Sequence, residues 1–174
     1  MTQTVTSYVS DEMRAVLGAE LGRVVSFPIA ESDIRRWAVA VYYPEEPPRL
    51  FWDDEYAAGS VHRGIVAPEE FNPFAWMTAQ PAGLARMGDN DPNGIEKSLG
   101  VRPPPTEFQL NGGIDVTYGV RMRPGDVITS VSTLHGYHER RGRLGLMLFT
   151  TMANTWTNQH GEQVRLTKGM LIRY

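Results

Sequence analysis

The chain has 174 residues, 41% of them hydrophobic and 21% charged, with a formal net charge of -3; that suits one globular domain, 1–174, able to bury a core without metals or crosslinks, and it provides no global basic field for nucleic acid. Cysteine is absent, which excludes disulfides, a thiolate nucleophile and Cys-ligated zinc. No apolar run approaches the roughly 20 residues of a membrane helix and Met1 to Ser10 holds no signal-peptide core, so the expectation is a soluble, cytoplasmic protein with no membrane partner.

Ser10 with Asp11 and Glu12 reads as an N-cap and acidic first turn, leading into Met13, Val16 and Leu17 at helical spacing, with Gly22 as the stop. Val24 to Ile29 reads as a short strand. A second capped start, Ser32-Asp33, opens a helix from Ile34 to Tyr42 in which Ile34, Trp37, Ala38 and Val41 share a face. Pro44, Pro47 and Pro48 end it and begin an irregular loop. Pro68 suits a first helical turn, with Glu69 and Glu70 at the positive end of the dipole. The helix it opens carries Phe71, Phe74, Ala75, Trp76 and Met77 before Pro81 and Gly83. Its low polar content predicts a helix wrapped by other structure. Residues 86–106, rich in Gly, Asp, Asn and Pro, read as a loop insertion. It holds a single helical turn at Glu96 to Leu99 and a stiff exit at Pro103-Pro104-Pro105, and a loop of this length suggests a lid.

The last third changes period. Ile114 to Tyr118 is a strand, and Arg123-Pro124-Gly125-Asp126 is a tight turn. Three strand-like runs follow, Val127 to Tyr137, Leu144 to Thr157 and Gln163 to Tyr174. Turns at Arg141-Gly142 and Gln159-His160-Gly161 join them antiparallel. An antiparallel sheet wrapped round one central apolar helix satisfies this order, an α+β architecture of the hot-dog type.

Three segments then resemble one family: Ile34-Arg35-Arg36-Trp37-Ala38-Val39-Ala40 ahead of the proline-rich loop, Phe51-Trp52-Asp53-Asp54-Glu55-Tyr56-Ala57, and Gly64-Ile65-Val66-Ala67-Pro68. Together with Met122-Arg123-Pro124-Gly125-Asp126-Val127 and Trp156 to Glu162, they are similar to the MaoC-like acyl dehydratases, closest to the N-terminal, FAS1-like dehydratase type. The resemblance covers nearly everything outside 86–106. Its catalytic members carry Asp-x-Asn-Pro-Leu-His followed closely by Asp, where Asp and His activate a water for addition to an enoyl thioester. Overlaid on Asp53 and Tyr56-Ala57, this chain has Phe51 at the His position, Pro48 at the Asn position and Glu46 near the Asp position. No histidine occurs between Met1 and Val61. In heteromeric members, such as mycobacterial fatty-acid and steroid side-chain dehydratases, one subunit has lost the Asp/His pair and completes the acyl pocket beside a catalytic partner. This chain resembles that subunit.

The resemblance implies no resident cofactor, the substrate being carried as a CoA or acyl-carrier thioester. It implies a catalytic MaoC-like hot-dog partner in a heterodimer or heterotetramer, with a homodimer as the alternative. Phe51 and Trp52 either line the acyl pocket or fill the space of the missing pair. Phe71, Phe74, Trp76 and Met77 read as core, with Phe74 and Thr78 as pocket candidates. The N–H of Gly64, or those after Pro68, are candidates to polarise a thioester carbonyl. Arg140, Arg141 and Arg143 are either a solvated hairpin or a site for the phosphates of CoA, with Arg121 and Arg123 as a second candidate. His135 and His138, three apart on a strand, make a poor metal pair, and His160 sits in a turn. The rival readings are a self-sufficient hydratase using Glu46 and His62, a hot-dog thioesterase using one carboxylate, and a non-enzymatic acyl-thioester binding module.

Overall fold

The structure, a computed structural model, describes residues 7–77, 91–143 and 145–174. Met1, Thr78, Pro81, Gly83 and Leu144, named above, and residues 86–90 of the expected insertion lie outside the described residues. Ser10 caps helix α1 (Asp11–Ala15) as its composition dictates, its Oγ accepting the Met13 N–H at 3.1 Å. The helix stops before Gly22, and strand β1 (Glu20–Val25) begins earlier than hydropathy suggests. Pro28 lacks the N–H a ladder needs. The chain therefore leaves the strand at Ser26, whose hydroxyl accepts the Ile128 N–H at 2.9 Å while its own N–H bonds the Ile128 carbonyl.

Helix α2 (Glu31–Tyr42) has Ala30 at its N-cap, with no side-chain cap bond; Ser32 and Asp33 lie inside the first turn rather than opening it. The entry is set by tertiary contacts. Ile29, just before the cap, exchanges backbone bonds with Asp126 and Gly125 and is buried in the same core as Ile34, the staple arrangement of a helix start. Ile34 and Ala38 face inward as expected, but Val41 is 52% exposed. Tyr42 turns in instead, its ring 6.0 Å from that of Phe51. A short 3-10 helix (Arg49–Phe51) and helix α3 (Asp54–Ala58) follow.

Strands β2 (Gln109–Tyr118), β3 (Thr129–Gly142), β4 (Gly145–Thr157) and β5 (Gln163–Arg173) complete a five-stranded, wholly antiparallel sheet in the order β1-β3-β4-β5-β2. The architecture is the α+β hot-dog sheet. Both predicted turns form. Asp126 N–H reaches the Arg123 carbonyl across Pro124 and Gly125, with Gly125 at φ +87, a conformation that favours glycine. The Asn158 side chain accepts the N–H groups of His160 and Glu162 to close the β4–β5 hairpin. The β3–β4 turn sits beyond Arg141-Gly142, since Gly142 still pairs with Gly145.

Register assigns the faces. Alternate β4 residues from Leu148 to Trp156 lie beside alternate β5 residues from Arg165 to Arg173, and Tyr118, Val116 and Ile114 of β2 extend this inner face. A bulge between Asn111 and Gly113 then reverses β2, so that Phe108 stacks on Tyr174 on the opposite side. A Cβ on Gly112 would sit 3.0 Å from an Ile172 side-chain carbon and 3.2 Å from the Met170 carbonyl, so a larger residue at the bulge would make its neighbours shift.

Residues 68–77 depart from expectation. They form successive turns, not a helix, with N–H bonds from Phe71 to Pro68, Ala75 to Asn72 and Met77 to Phe74. Pro73 removes one donor, and the Asn72 side chain accepts the Phe74 N–H, a local bond that competes with helix. Phe71 is buried and Phe74 packs edge-on against Trp156, whereas Trp76 is 47% exposed rather than core.

Residues 91–106 are likewise not a free loop. They hold helix α4 (Gly94–Ser98), whose Glu96 is fully buried and makes a bidentate pair, both bonds 2.8 Å, with the equally buried Arg173 of β5. Arg173 also donates to Thr150 and to the Pro92 carbonyl, both at 2.6 Å, and Tyr137 donates to Glu96 at 2.7 Å. Burial, then the Glu96 carboxylate, push the Tyr137 hydroxyl above the ordinary phenol range, so it stays a donor. Asn93 and Thr106 close the base of the segment through two mutual hydrogen bonds. Removing one charge from this pair strands the other in the interior. Glu96→Gln is expected to lower unfolding free energy by about 3–5 kcal/mol in urea titration at neutral pH. The double substitution Glu96→Leu, Arg173→Met is expected to cost less than Glu96→Gln alone.

Candidate functional site

The loop between α2 and Pro68 is built from local bonds. Asp53 caps α3, accepting the Tyr56 N–H at 3.0 Å, and is held by Arg49 at 2.6 Å; the Arg49 guanidinium lies 4.9 Å from the Tyr56 ring centroid. Trp52 Nε1 donates to the Pro47 carbonyl at 2.9 Å, folding the proline run back on the helix that follows it. The Ala57 carbonyl accepts from Ser60 N–H, Ser60 Oγ and Gly64 N–H, which closes the 57–64 turn. The Gly64 N–H is therefore occupied, and a role in polarising a thioester carbonyl is closed to it.

Phe51 is 5% exposed and lies in the main core with Ile65, Val66, Ala67 and Phe71. An apolar ring thus occupies the interior position that the resemblance assigns to the base. His62 lies half-buried beyond the turn. Its backbone carbonyl accepts from Arg123 at 2.7 Å, and its ring has no hydrogen bond or ion pair among the described residues. A general base of this type needs a carboxylate to orient it. Glu46 is exposed in the loop.

The arginines fall into two groups. Arg140 and Arg141 are successive residues of β3, opposite Met147 and Leu146, so their side chains leave on opposite faces; Arg143 is in the turn, and all three are exposed. The hairpin therefore does not gather them into one fork. Arg121 and Arg123 instead converge on the 62–69 segment, Arg121 pairing with Glu69 at 2.7 Å and Arg123 holding the His62 carbonyl. With the Ala67 N–H bound to the Met122 carbonyl, they fix Gly64 to Pro68 against the turn that begins at Arg123.

On this frame the comparisons decide the family. Residues 15–167 match the profile described as "FAS1-like, dehydratase domain region". The chain belongs to the FAS1-like dehydratase family. Solved structures similar to this family member include a chain of the ChsH1-ChsH2 complex from Mycobacterium tuberculosis, at 18% identity and a TM-score of 0.61, covering 90% of this chain and 84% of that one. A MaoC-like dehydratase from Rhodospirillum rubrum matches at 18% identity and a TM-score of 0.53, covering 91% and 92%. The C-terminally truncated HadBC (3R-hydroxyacyl-ACP dehydratase) complex from Mycobacterium tuberculosis matches at 18% and 0.53, covering 90% and 96%. At these identities the likeness is one of fold. No curated protein sequence matches the chain.

Sequence reading missed Arg165, which lies on the inner face of β5 with its guanidinium 3.8 Å from the Trp156 ring centroid. The available signal was its place between Val164 and Leu166 in a strand, where a charge on a covered face is unusual. It also missed that Asp53 is a cap. The Tyr56 N–H, then Arg49, hold the Asp53 carboxyl below the usual carboxylate range. A depressed folded value means its contribution is present above the unfolded carboxylate pKa and is lost as pH falls through the folded value. Asp53→Asn is expected to lower the melting temperature at neutral pH. The gap from wild type should close in acid below the ordinary carboxylate range, as a melting series from pH 2 to pH 7 would reveal.

Proposed function

We propose that this chain is the acyl-thioester-binding, non-catalytic subunit of a heteromeric enoyl-thioester hydratase (dehydratase), with Asp and His supplied by a second hot-dog chain. One observation carries the reading: the loop that bears the base in catalytic relatives is intact as a frame, yet Phe51 is packed into the core at that position and no histidine precedes His62. A phenyl ring neither accepts nor delivers a proton. In the reaction proposed, the partner's base takes a proton from water as the oxygen bonds to the β-carbon of the enoyl thioester, and the α-carbon receives a proton in return. This chain would contribute apolar surface for the acyl tail around Trp52 and Phe74, backed by the buried Phe71, with Arg121 and Arg123 holding the wall formed by 62–69. Arg140, Arg141 and Arg143 remain candidates for the phosphates of CoA.

A partner is further supported by strand β2. It is an edge strand, and its apolar side chains Leu110, Ile114, Val116 and Tyr118, with Phe108 just before it, are exposed on two faces, Ile114 at 72%. An unguarded edge of this kind is a template for pairing with another strand. The ChsH1-ChsH2 and HadBC structures are named as complexes of two chains, which fits the same arrangement. The rival self-sufficient enzyme has less support, since the His62 ring has no carboxylate partner among the described residues.

Purified alone, the chain is expected to hydrate crotonyl-CoA no faster than background, and activity should appear on co-expression with a hot-dog protein that carries the Asp/His pair. Robust turnover by this chain alone would overturn the proposal. Substituting Lys for both Ile114 and Val116 should leave the melting temperature within a few degrees of wild type and abolish co-purification of that partner.

A further inference from the structure

Two arginines stand on the inner face of β5, and their surroundings differ. Arg173 is met by Glu96, Thr150 and the Pro92 carbonyl. Arg165, at the other end of the same strand, meets no carboxylate at ion-pair distance among the described residues, and its Nε is buried without a hydrogen-bond partner. Its planar head lies against the Trp156 ring, which is itself wedged by Phe74 at 5.1 Å. Stacking of this kind holds a guanidinium in place but satisfies none of its N–H groups. Burial depresses the Arg165 pKa, and the acidic groups that reach it electrostatically are Tyr118 and Glu70.

The neighbouring position repeats the pattern. Thr167, two residues on and on the same face, has a buried hydroxyl with no partner. Asn154, directly opposite it on β4, has its amide group committed to Ser130 and Ser132 at 2.9 and 2.7 Å, so it does not satisfy Thr167. Among the described residues, Arg165 Nε and the Thr167 hydroxyl are thus unmet on one strand face, roughly 7 Å apart at strand rise. Arg173 Nε on the same face is unmet too, but there the charge is paired with Glu96. Arg165 carries a positive charge, and its fork matches the two oxygens of a carboxylate or phosphate. A buried polar group without a partner is costly, and a ligand oxygen would remove that cost.

We propose that Arg165 and Thr167 form a binding point for an anionic oxygen group, carboxylate or phosphate, on the ligand of this fold. The two sources are a phosphate of the thioester carrier and a carboxylate at the far end of an acyl chain. The site does not depend on the hydratase reading, because binding and hydration are measured separately.

The test is isothermal titration of the full chain, alone and co-expressed with its partner, against coenzyme A and against matched medium-chain monocarboxylic and α,ω-dicarboxylic acids. Wild type is expected to bind coenzyme A or the dicarboxylate, more weakly as salt rises. Tight coenzyme A binding alone identifies phosphate, and preference for the dicarboxylate over the monocarboxylate identifies carboxylate. Arg165→Met should weaken the bound probe at least tenfold and Arg165→Lys by less. Thr167→Val, which removes only a hydroxyl, should weaken it severalfold with an unchanged melting temperature. Failure of wild type to bind any probe in either form would overturn the site. So would unchanged affinity in Thr167→Val together with Arg165→Lys, which would leave Arg165 as a structural stack on Trp156.

Discussion

A cation placed on the covered face of an antiparallel sheet has to be answered by an anion, and much of this molecule is arranged around that requirement. At one end of β5, Arg173 is fully buried, and the answer comes from far away in sequence: Glu96 of α4. Ion pairing at this depth is not a cheap source of stability. Its effect is to specify where residues 91–106 lie, because no other position of that segment satisfies both charges. What reads as a glycine- and proline-rich insertion is thus docked onto the sheet, with Tyr137 and Thr150 completing the contacts.

The opposite end of the strand holds the unanswered case. Arg165 is stacked on Trp156 with no carboxylate at ion-pair distance among the described residues, and its strand neighbours are Trp156 and Tyr118. The loop between α2 and Pro68 is held for reasons visible residue by residue. Asp53 caps α3, Trp52 anchors the proline run, and the Ala57 carbonyl gathers three donors. None of these bonds involves a histidine. The loop therefore holds its shape without a histidine, and the Phe51 ring joins the core rather than leaving a gap.

Legibility in the sequence followed the range of the interaction. The Asp126 and Gly161 turns, the Ser10 cap and the antiparallel order of the last three strands were readable, since each rests on residues within a few positions of one another. The start of α2 was misplaced because Ile29 and Asp126 set it across nearly a hundred residues, overriding Ser32 as a cap. Residues 68–77, expected to be helical from Pro68, are turns for the opposite reason: local competition from Asn72 and Pro73 outweighs apolar content there. The β2 bulge, which sends apolar residues to both faces of an edge strand and brings Gly112 close to Ile172, is invisible to a pattern of alternation.

By itself the sequence determined the fold class, the family resemblance and the absence of a histidine in the loop, because strand periodicity, turn chemistry and the simple lack of histidine before His62 are written residue by residue. Only the tertiary structure decided which charges are met and which are not. Arg140, Arg141 and Arg143 look like a cluster in the chain, but Arg140 and Arg141 leave on opposite faces and Arg143 is in the turn, while Arg165 stands unremarked between Val164 and Leu166 and becomes a cation of the inner face with no carboxylate at ion-pair distance among the described residues. Partnering depends on three-dimensional register, and register is set by pairings between strands rather than by neighbours in the chain.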